Sequence, residues 1–405
     1  MRGNYPFMQT YHVNDLLKSA FQDANHLDIK QLFENKLTEY DLSKTKALSI
    51  LNIDKDVFED IISGSAKQPS MINILKIAQF IDVDINEVVT AFLKTQSSEN
   101  IAAIEKARKV TFVVKFFDVK KLTKLGFFEE SESVDYWVQR ILTFFDYESI
   151  SEFEEELTAP LYSKGKRKFS DKMKDFWVKS AYQCFKSINN PNLYNRDNLK
   201  DLLVKVKPYC QDVENGLFTV CKALYNVGIT VIVQNQLATT QVRGATFIVN
   251  GKPCIVLTDL FKKYPTLWTT LIHELHHVLY DMDLISSTQY HLTGDPDLFL
   301  IEEKADSFSM EYFCGVEHFN YIKPHINNPF IVAKFAKELD VHPSFIYSAY
   351  RYFQNHLYQK NYYGAFTEFL PSYSLAIDKL TPITWKENSL SEIAQNIKTI
   401  FEVNT

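Results

Sequence analysis

Glycine is scarce in this 405-residue chain: 11 residues, where an ordinary composition would give roughly 28. So few turn-formers, and no Gly-rich loop to cradle a phosphate, point to a mostly helical protein. Cysteine is sparse as well. Cys184, Cys210, Cys221, Cys254 and Cys314 are widely spaced and never form a Cys-x-x-Cys pair. That speaks against a disulfide framework or a cysteine-built zinc site, and for buried free thiols in a reducing compartment. Long apolar runs are missing too. One of the greasiest stretches, Val110 to Val119, already holds Lys115, so no membrane span of about 18 apolar residues is expected. Nor is positive charge in excess. With 44 Lys+Arg against 50 Asp+Glu the net charge is −6, which argues against a global nucleic-acid coat but not against a local DNA-reading patch. Met1 to Pro6 lead into polar sequence without the apolar core of a secretory signal, and a cytoplasmic protein is expected.

What is there is an ordinary globular composition, 46% hydrophobic and 23% charged, long enough for two or three domains. The expected fold class is mainly α with a small β-sheet. Texture divides the chain into an N-terminal extension (1–27), a compact series of short helices (28–95), a linker with an aromatic-rich helical middle region (96–206), an α+β segment (207–330) and a helical C-terminal region (331–405). Repeats and low-complexity tracts are absent. Lys164-Gly165-Lys166-Arg167-Lys168 packs four positive charges into five residues; this reads as a solvated surface loop or a phosphate-binding one, its field partly neutralised by nearby Glu152 to Glu156.

In the first helical series, Ile29, Leu32, Phe33 and Leu37 recur at helical spacing. Ser43 is placed to cap a second helix, a third runs from Asp54 to Ile62 and stops at Gly64, Ser70 begins a fourth, and Asp84 caps a fifth. Tyr40-Asp41-Leu42-Ser43, Ala47-Leu48, Leu51-Asn52-Ile53, Gly64, Pro69-Ser70 and Leu75-Lys76-Ile77-Ala78 together resemble an XRE/Cro-type helix-turn-helix domain. The resemblance implies an all-α domain that reads DNA with the helix holding Asp54, Lys55, Asp56, Glu59 and Asp60. That helix carries four acids and one base, Lys55. Phosphates repel such a face, and it has no Arg to grip guanine. DNA binding through residues 28–95 would rest on Lys55; the alternative is a domain kept for protein contacts or dimerisation.

From Gly228 the pattern changes. Ile229 to Val233 is a β-branched run, and Val242–Val249 and Pro253–Leu257 flank Asn250-Gly251, a type I′ hairpin signal. An extended peptide would pair with the edge of this hairpin. Pro265 then suits the first turn of a helix that contains His273-Glu274-Leu275-His276-His277. His273 and His277, at i and i+4, leave one helix face a turn apart, a spacing that lets two imidazoles grip one Zn²⁺. Glu274 stands beside the metal rather than on it, placed to take a proton from water. His276 points elsewhere around the helix and reads as a packing or supporting residue.

A catalytic zinc needs a third protein ligand. Downstream, Glu302 and Asp306 share one face of a second helix. Glu302 is the preferred ligand, with Asp306 accepting the second N–H of His273; Glu303 and Asp283 are the alternatives. Asp283 occupies the metzincin position, but Tyr280 stands where metzincins turn on a glycine. These residues, with Ala305, Phe308, Cys221-Lys222-Ala223-Leu224, Gly228-Ile229, Arg243-Gly244-Ala245-Thr246 and Val341-His342-Pro343, resemble the ImmA/IrrE family of gluzincin-type metallopeptidases over roughly residues 207–352. Lys304 and His276 replace the Glu and Gly usual in that family. The resemblance implies a zincin-like α+β domain, Zn²⁺ held by His273, His277 and Glu302, Glu274 as the base, and a helix-turn-helix repressor as protein substrate. Tyr312, Tyr347 and His342 are the candidates for a second oxyanion donor. The competing expectation is a DNA-binding regulator or antitoxin-like protein whose zinc is structural or sensory.

Overall fold

The computed structural model describes residues 27–66, 69–96, 98–131, 133–157, 171–237, 241–260, 262–288, 290–293, 302–387 and 389–402. The extension before residue 27 and the basic stretch 164–168 lie outside them. Two compact units emerge, Met1–Thr111 and Phe112–Thr405.

In the first unit, helices α1 (Ile29–Glu39), α2 (Lys44–Leu51), α3 (Lys55–Ser63), α4 (Met71–Ile81) and α5 (Ile85–Thr95) follow the expected series. Their boundaries have local causes. The Ser43 hydroxyl accepts the Lys46 N–H and the Asp84 carboxylate the Asn86 N–H, caps each worth about 1 kcal/mol. Gly64, at φ +75°, ends α3 in the left-handed region where a Cβ would strain the backbone. Phe33, Leu48, Phe58, Ile61, Ile77 and Ile81 are buried together, each the inward residue of its helix.

The polar stretch around Lys94 to Glu105, which reads in sequence as a linker or the start of a loosely packed helix, leads into a 19-residue helix, α6 (Ser98–Phe116). The second unit continues with α7 (Val119–Lys124), α8 (Val134–Phe145), α9 (Ile150–Leu157), α10 (Lys172–Ile188), α11 (Arg196–Val206) and α12 (Gly216–Asn226). Strands β1 (Thr230–Gln234), β2 (Gly244–Val249) and β3 (Lys252–Thr258) come next, then α13 (Tyr264–Tyr280), α14 (Met282–Thr288) and β4 (Tyr290–Leu292). The chain closes with α15 (Glu302–Cys314), α16 (Val316–Ile322), α17 (Pro329–Glu338), α18 (Pro343–Tyr358), α19 (Ser374–Ile377) and α20 (Leu390–Glu402). The described residues are mainly helical, with one small mixed sheet among them.

That sheet has the order β1-β3-β2-β4. β1 runs parallel to β3, while β2 is antiparallel to β3 and to β4. Asn250 and Gly251 both take positive φ, 53° and 74°, as a two-residue type I′ turn requires. The hairpin edge expected to receive a peptide is taken: β4 pairs with Ala245, Thr246 and Phe247 of β2. Helix α13 packs across β2 and β3 on one side and against α15 on the other. Apolar residues on both faces of α13, among them Trp268, Leu271, Ile272 and Leu275, are therefore fully buried.

One core runs from Phe112 to Phe401, because the flanking segments complete each other's surfaces. The Arg140 guanidinium lies over the Phe127 and Phe144 rings and donates to the carbonyls of Trp385 and Glu387. Ile383 exchanges backbone hydrogen bonds with Val233 and Asn235 on the outer edge of β1, at 2.8 and 3.1 Å. All five cysteines are free and buried, and burial pushes the Cys210 and Cys314 thiols up to about 12. No helix among the described residues is long and apolar enough to cross a membrane.

Candidate metal centre

Helix α13 brings His273 and His277 to one face, with their Nε2 atoms 3.1 Å apart. Glu302, the first residue of α15, meets both. Its Oε2 lies 3.5 Å from His273 Nε2 and its Oε1 3.2 Å from His277 Nε2. Donors of a single tetrahedral zinc at ~2.0–2.1 Å sit about 3.3 Å from one another. The separations of 3.1 Å between the imidazoles and of 3.2 and 3.5 Å from them to one or the other oxygen of the Glu302 carboxylate are close to that spacing, and two imidazoles and a carboxylate are ordinary zinc donors. These residues fit one divalent ion.

The outer nitrogens are held by acids, which fixes how each ring is turned. His273 Nδ1 is 3.0 Å from Asp306 Oδ1, and His277 Nδ1 is 2.8 Å from Asp281 Oδ2. Burial works against the charged form of His273, but its hydrogen bonds to Asp306 and Glu302 outweigh that and push it up to about 10. Burial likewise disfavours the charged form of Glu302; three histidines overcome it and hold the carboxyl far below the usual range. Such opposed pulls arise where several acids and imidazoles converge on one point.

The third of those histidines is His291, on β4. Fully buried, it places Nε2 2.7 Å from Glu302 Oε1. Sequence reasoning missed it, and also Asp281. Asp281 carried a signal, being one turn beyond His277; His291 carried none beyond a histidine in a three-residue strand.

Glu274 is buried beside the triangle. Its Oε2 accepts a hydrogen bond of 2.8 Å from Thr246 on β2, and its Oε1 accepts one from Thr293 just past β4. Gly244 makes this approach feasible. A Cβ there would fall 2.5 Å from Glu274 Oε1 and 2.7 Å from Thr270 Cγ2, closer than real contacts allow.

The other candidates sit elsewhere. Asp283 is exposed on α14, and Glu303 lines a surface recess with His276 and Tyr280. The His276 ring packs against Tyr280 and Phe308, in the supporting place expected of it. His276, His277 and Asp281 make a second acid–imidazole group, but Asp281 is engaged with His277 Nδ1 and stands 3.8 Å from His276. None of the three oxyanion candidates lines the cleft at His273. The Tyr312 hydroxyl donates to the Leu203 carbonyl at 2.6 Å. Tyr347 is buried against Phe366 and Phe369, and His342 caps α18 through its Nδ1. Each aromatic was needed by the core. Tyr352 lines that cleft instead, with Arg243, Thr293 and Asp306, around a cavity of about 110 Å³. Lys55 is exposed at the start of α3 among exposed Asp54, Asp56 and Asp60, and Glu59 is paired with Lys44.

Comparison with known proteins found no matching family model, no matching curated protein and no matching solved structure.

Proposed function

We propose that this chain is a zinc-dependent endopeptidase of the ImmA/IrrE kind, acting on a DNA-binding repressor or another regulatory protein. The observation that carries the reading is the donor triangle of His273, His277 and Glu302 with the buried carboxylate of Glu274 at its side. A helix backed by a sheet and met by a second helix bearing an acid is also what a zincin-like fold asks for. When bound, Zn²⁺ would supply Lewis acidity toward the scissile carbonyl and toward water.

The chain's own residues do the rest. Glu274 takes the proton of the attacking water on its carboxylate and passes it to the leaving amine. Thr246 and Thr293 keep that carboxylate aimed, and Asp306 and Asp281 keep both imidazoles presenting Nε2. A structural or sensory zinc would have no use for Glu274, which weighs against the regulator reading. In the first unit, α2, a short turn and α3 support an XRE-type helix-turn-helix. The acidic exposed face of α3 favours protein contact over DNA there, as does the exposure of Ile50, Met71 and Ile72.

The test is cleavage of a defined peptide pool by zinc-loaded wild type and Glu274→Gln. A loss of about 10²–10⁴-fold in rate is expected, with zinc content unchanged. Equal cleavage by the two would remove Glu274 as base.

A further inference from the structure

The small cavity at His273 does not end there. Arg243, Thr266, Thr269, Met310 and Tyr352 line both it and a larger cavity of about 600 Å³ that opens alongside, between the start of α13 and the outer face of α18. This annex has an uneven charge. Arg243, Lys263, Arg351 and His356 line it, and no Asp or Glu among the described residues does, in a chain whose acids outnumber its lysines and arginines by 50 to 44. Tyr352, Tyr362 and Tyr363 supply aromatic wall, and Asn355 and Asn361 supply amides. The Arg351 guanidinium is held in place: it lies 5.0 Å from the centre of the Tyr363 ring and donates to that residue's carbonyl. A fixed, half-buried guanidinium loses little entropy when it grips a carboxylate, often through two parallel hydrogen bonds.

We infer that this annex is a specificity subsite for an acidic segment of the substrate, carboxylate side chains docking on Arg351 and Lys263 while the neighbouring bond lies in the cleft at His273. The inference rests on the peptidase reading for what happens to the bound chain, but not for the binding itself. Three features favour a peptide over a nucleic acid. The annex is a recess and not an open basic face; it shares its wall with the cleft at His273; and that wall includes Met310, Pro265 and Leu370, suited to side chains between the acids. A volume of about 600 Å³ is that of a cleft for a ligand larger than one side chain.

The probe is a fluorescein-labelled hexaglutamate with a blocked C-terminus, its binding to the full chain followed by fluorescence polarisation. Hexaglutamine, a free-C-terminus hexaglutamate and an oligothymidylate of similar charge run beside it. Hexaglutamate should bind at least tenfold tighter than hexaglutamine, weaken with salt, and be indifferent to the blocking group. Arg351→Gln and Lys263→Gln should each cost about three- to tenfold, and Arg351→Lys should recover part of the loss. Because Arg351 also steadies the Tyr363 loop, the Lys263 variant keeps the test valid if that loop shifts. Equal binding of the glutamate and glutamine peptides would overturn the subsite, as would wild-type affinity for hexaglutamate in both the Arg351→Gln and Lys263→Gln variants. A marked preference for the free C-terminus would replace side-chain recognition with capture of a chain end, and tighter oligothymidylate binding would replace the peptide with nucleic acid. Cleavage of the peptide pool without acid preference would sink the subsite and spare the peptidase; tight acid binding with no cleavage by the zinc-loaded protein would do the reverse.

Discussion

At the scale of single residues, each polar group near the donor triangle can be assigned a distinct job, and those jobs separate experimentally. His273 and Glu302 offer donor atoms to the same point, whereas His276, one residue from His277, turns its ring onto Tyr280 and Phe308. His273→Ala and Glu302→Ala should therefore lose most of the bound zinc, read as metal per chain after dialysis at micromolar zinc. His276→Ala should keep it. Retention by both ligand variants would mean that the ion sits elsewhere, and loss in His276→Ala would mean that the helix, not the ligand set, had been damaged. Gly244 belongs to this scale as well, since the space a methyl group would need is occupied by the Glu274 carboxylate.

At the scale of elements, the short strand β4 organises the site more than its length suggests. It covers the edge of β2, brings His291 onto Glu302 and leads directly into Thr293, which holds Glu274. One strand thus steadies the carboxylates of both Glu302 and Glu274. His291→Phe, which keeps an aromatic ring and removes the donor, should weaken zinc affinity about 10–100-fold, with His291→Gln intermediate. Thr246→Val with Thr293→Val should leave zinc affinity alone and lower kcat. If His291→Phe bound zinc as tightly as wild type by competition with a chelator, β4 would be a cover strand only. This element also marks where sequence reading stops. His273, Glu274 and His277 stood out because ligand spacing on a helix is local, and Glu302 with Asp306 for the same reason. The role of His291 depends on a non-local pairing, and a three-residue strand holds too little alternation to announce it. The sequence likewise does not choose among Tyr312, Tyr347 and His342 as oxyanion donors, because non-local contacts decide where each points: the Tyr312 hydroxyl donates to the Leu203 carbonyl and the Tyr347 ring stacks on Phe369.

At the scale of the whole molecule, two cores matter. Phe33, Phe58 and Ile77 belong to one, and the other, running from Phe112 to Phe401, takes in buried apolar residues of α13, α15 and all four strands. A ligand that binds only the folded form stabilises the unit that holds it, by RT ln(1 + [L]/Kd). Zinc at about 100 times its Kd should therefore add about 2.7 kcal/mol to the second unit and nothing to the first. Calorimetry should resolve two transitions, of which only the larger moves up with zinc and back with a chelator, and Glu302→Ala should abolish that shift. A single transition moving as one would show that the two cores unfold together. Movement of the smaller transition alone would place the ion in the first unit, where none of the residues argued to bind it resides.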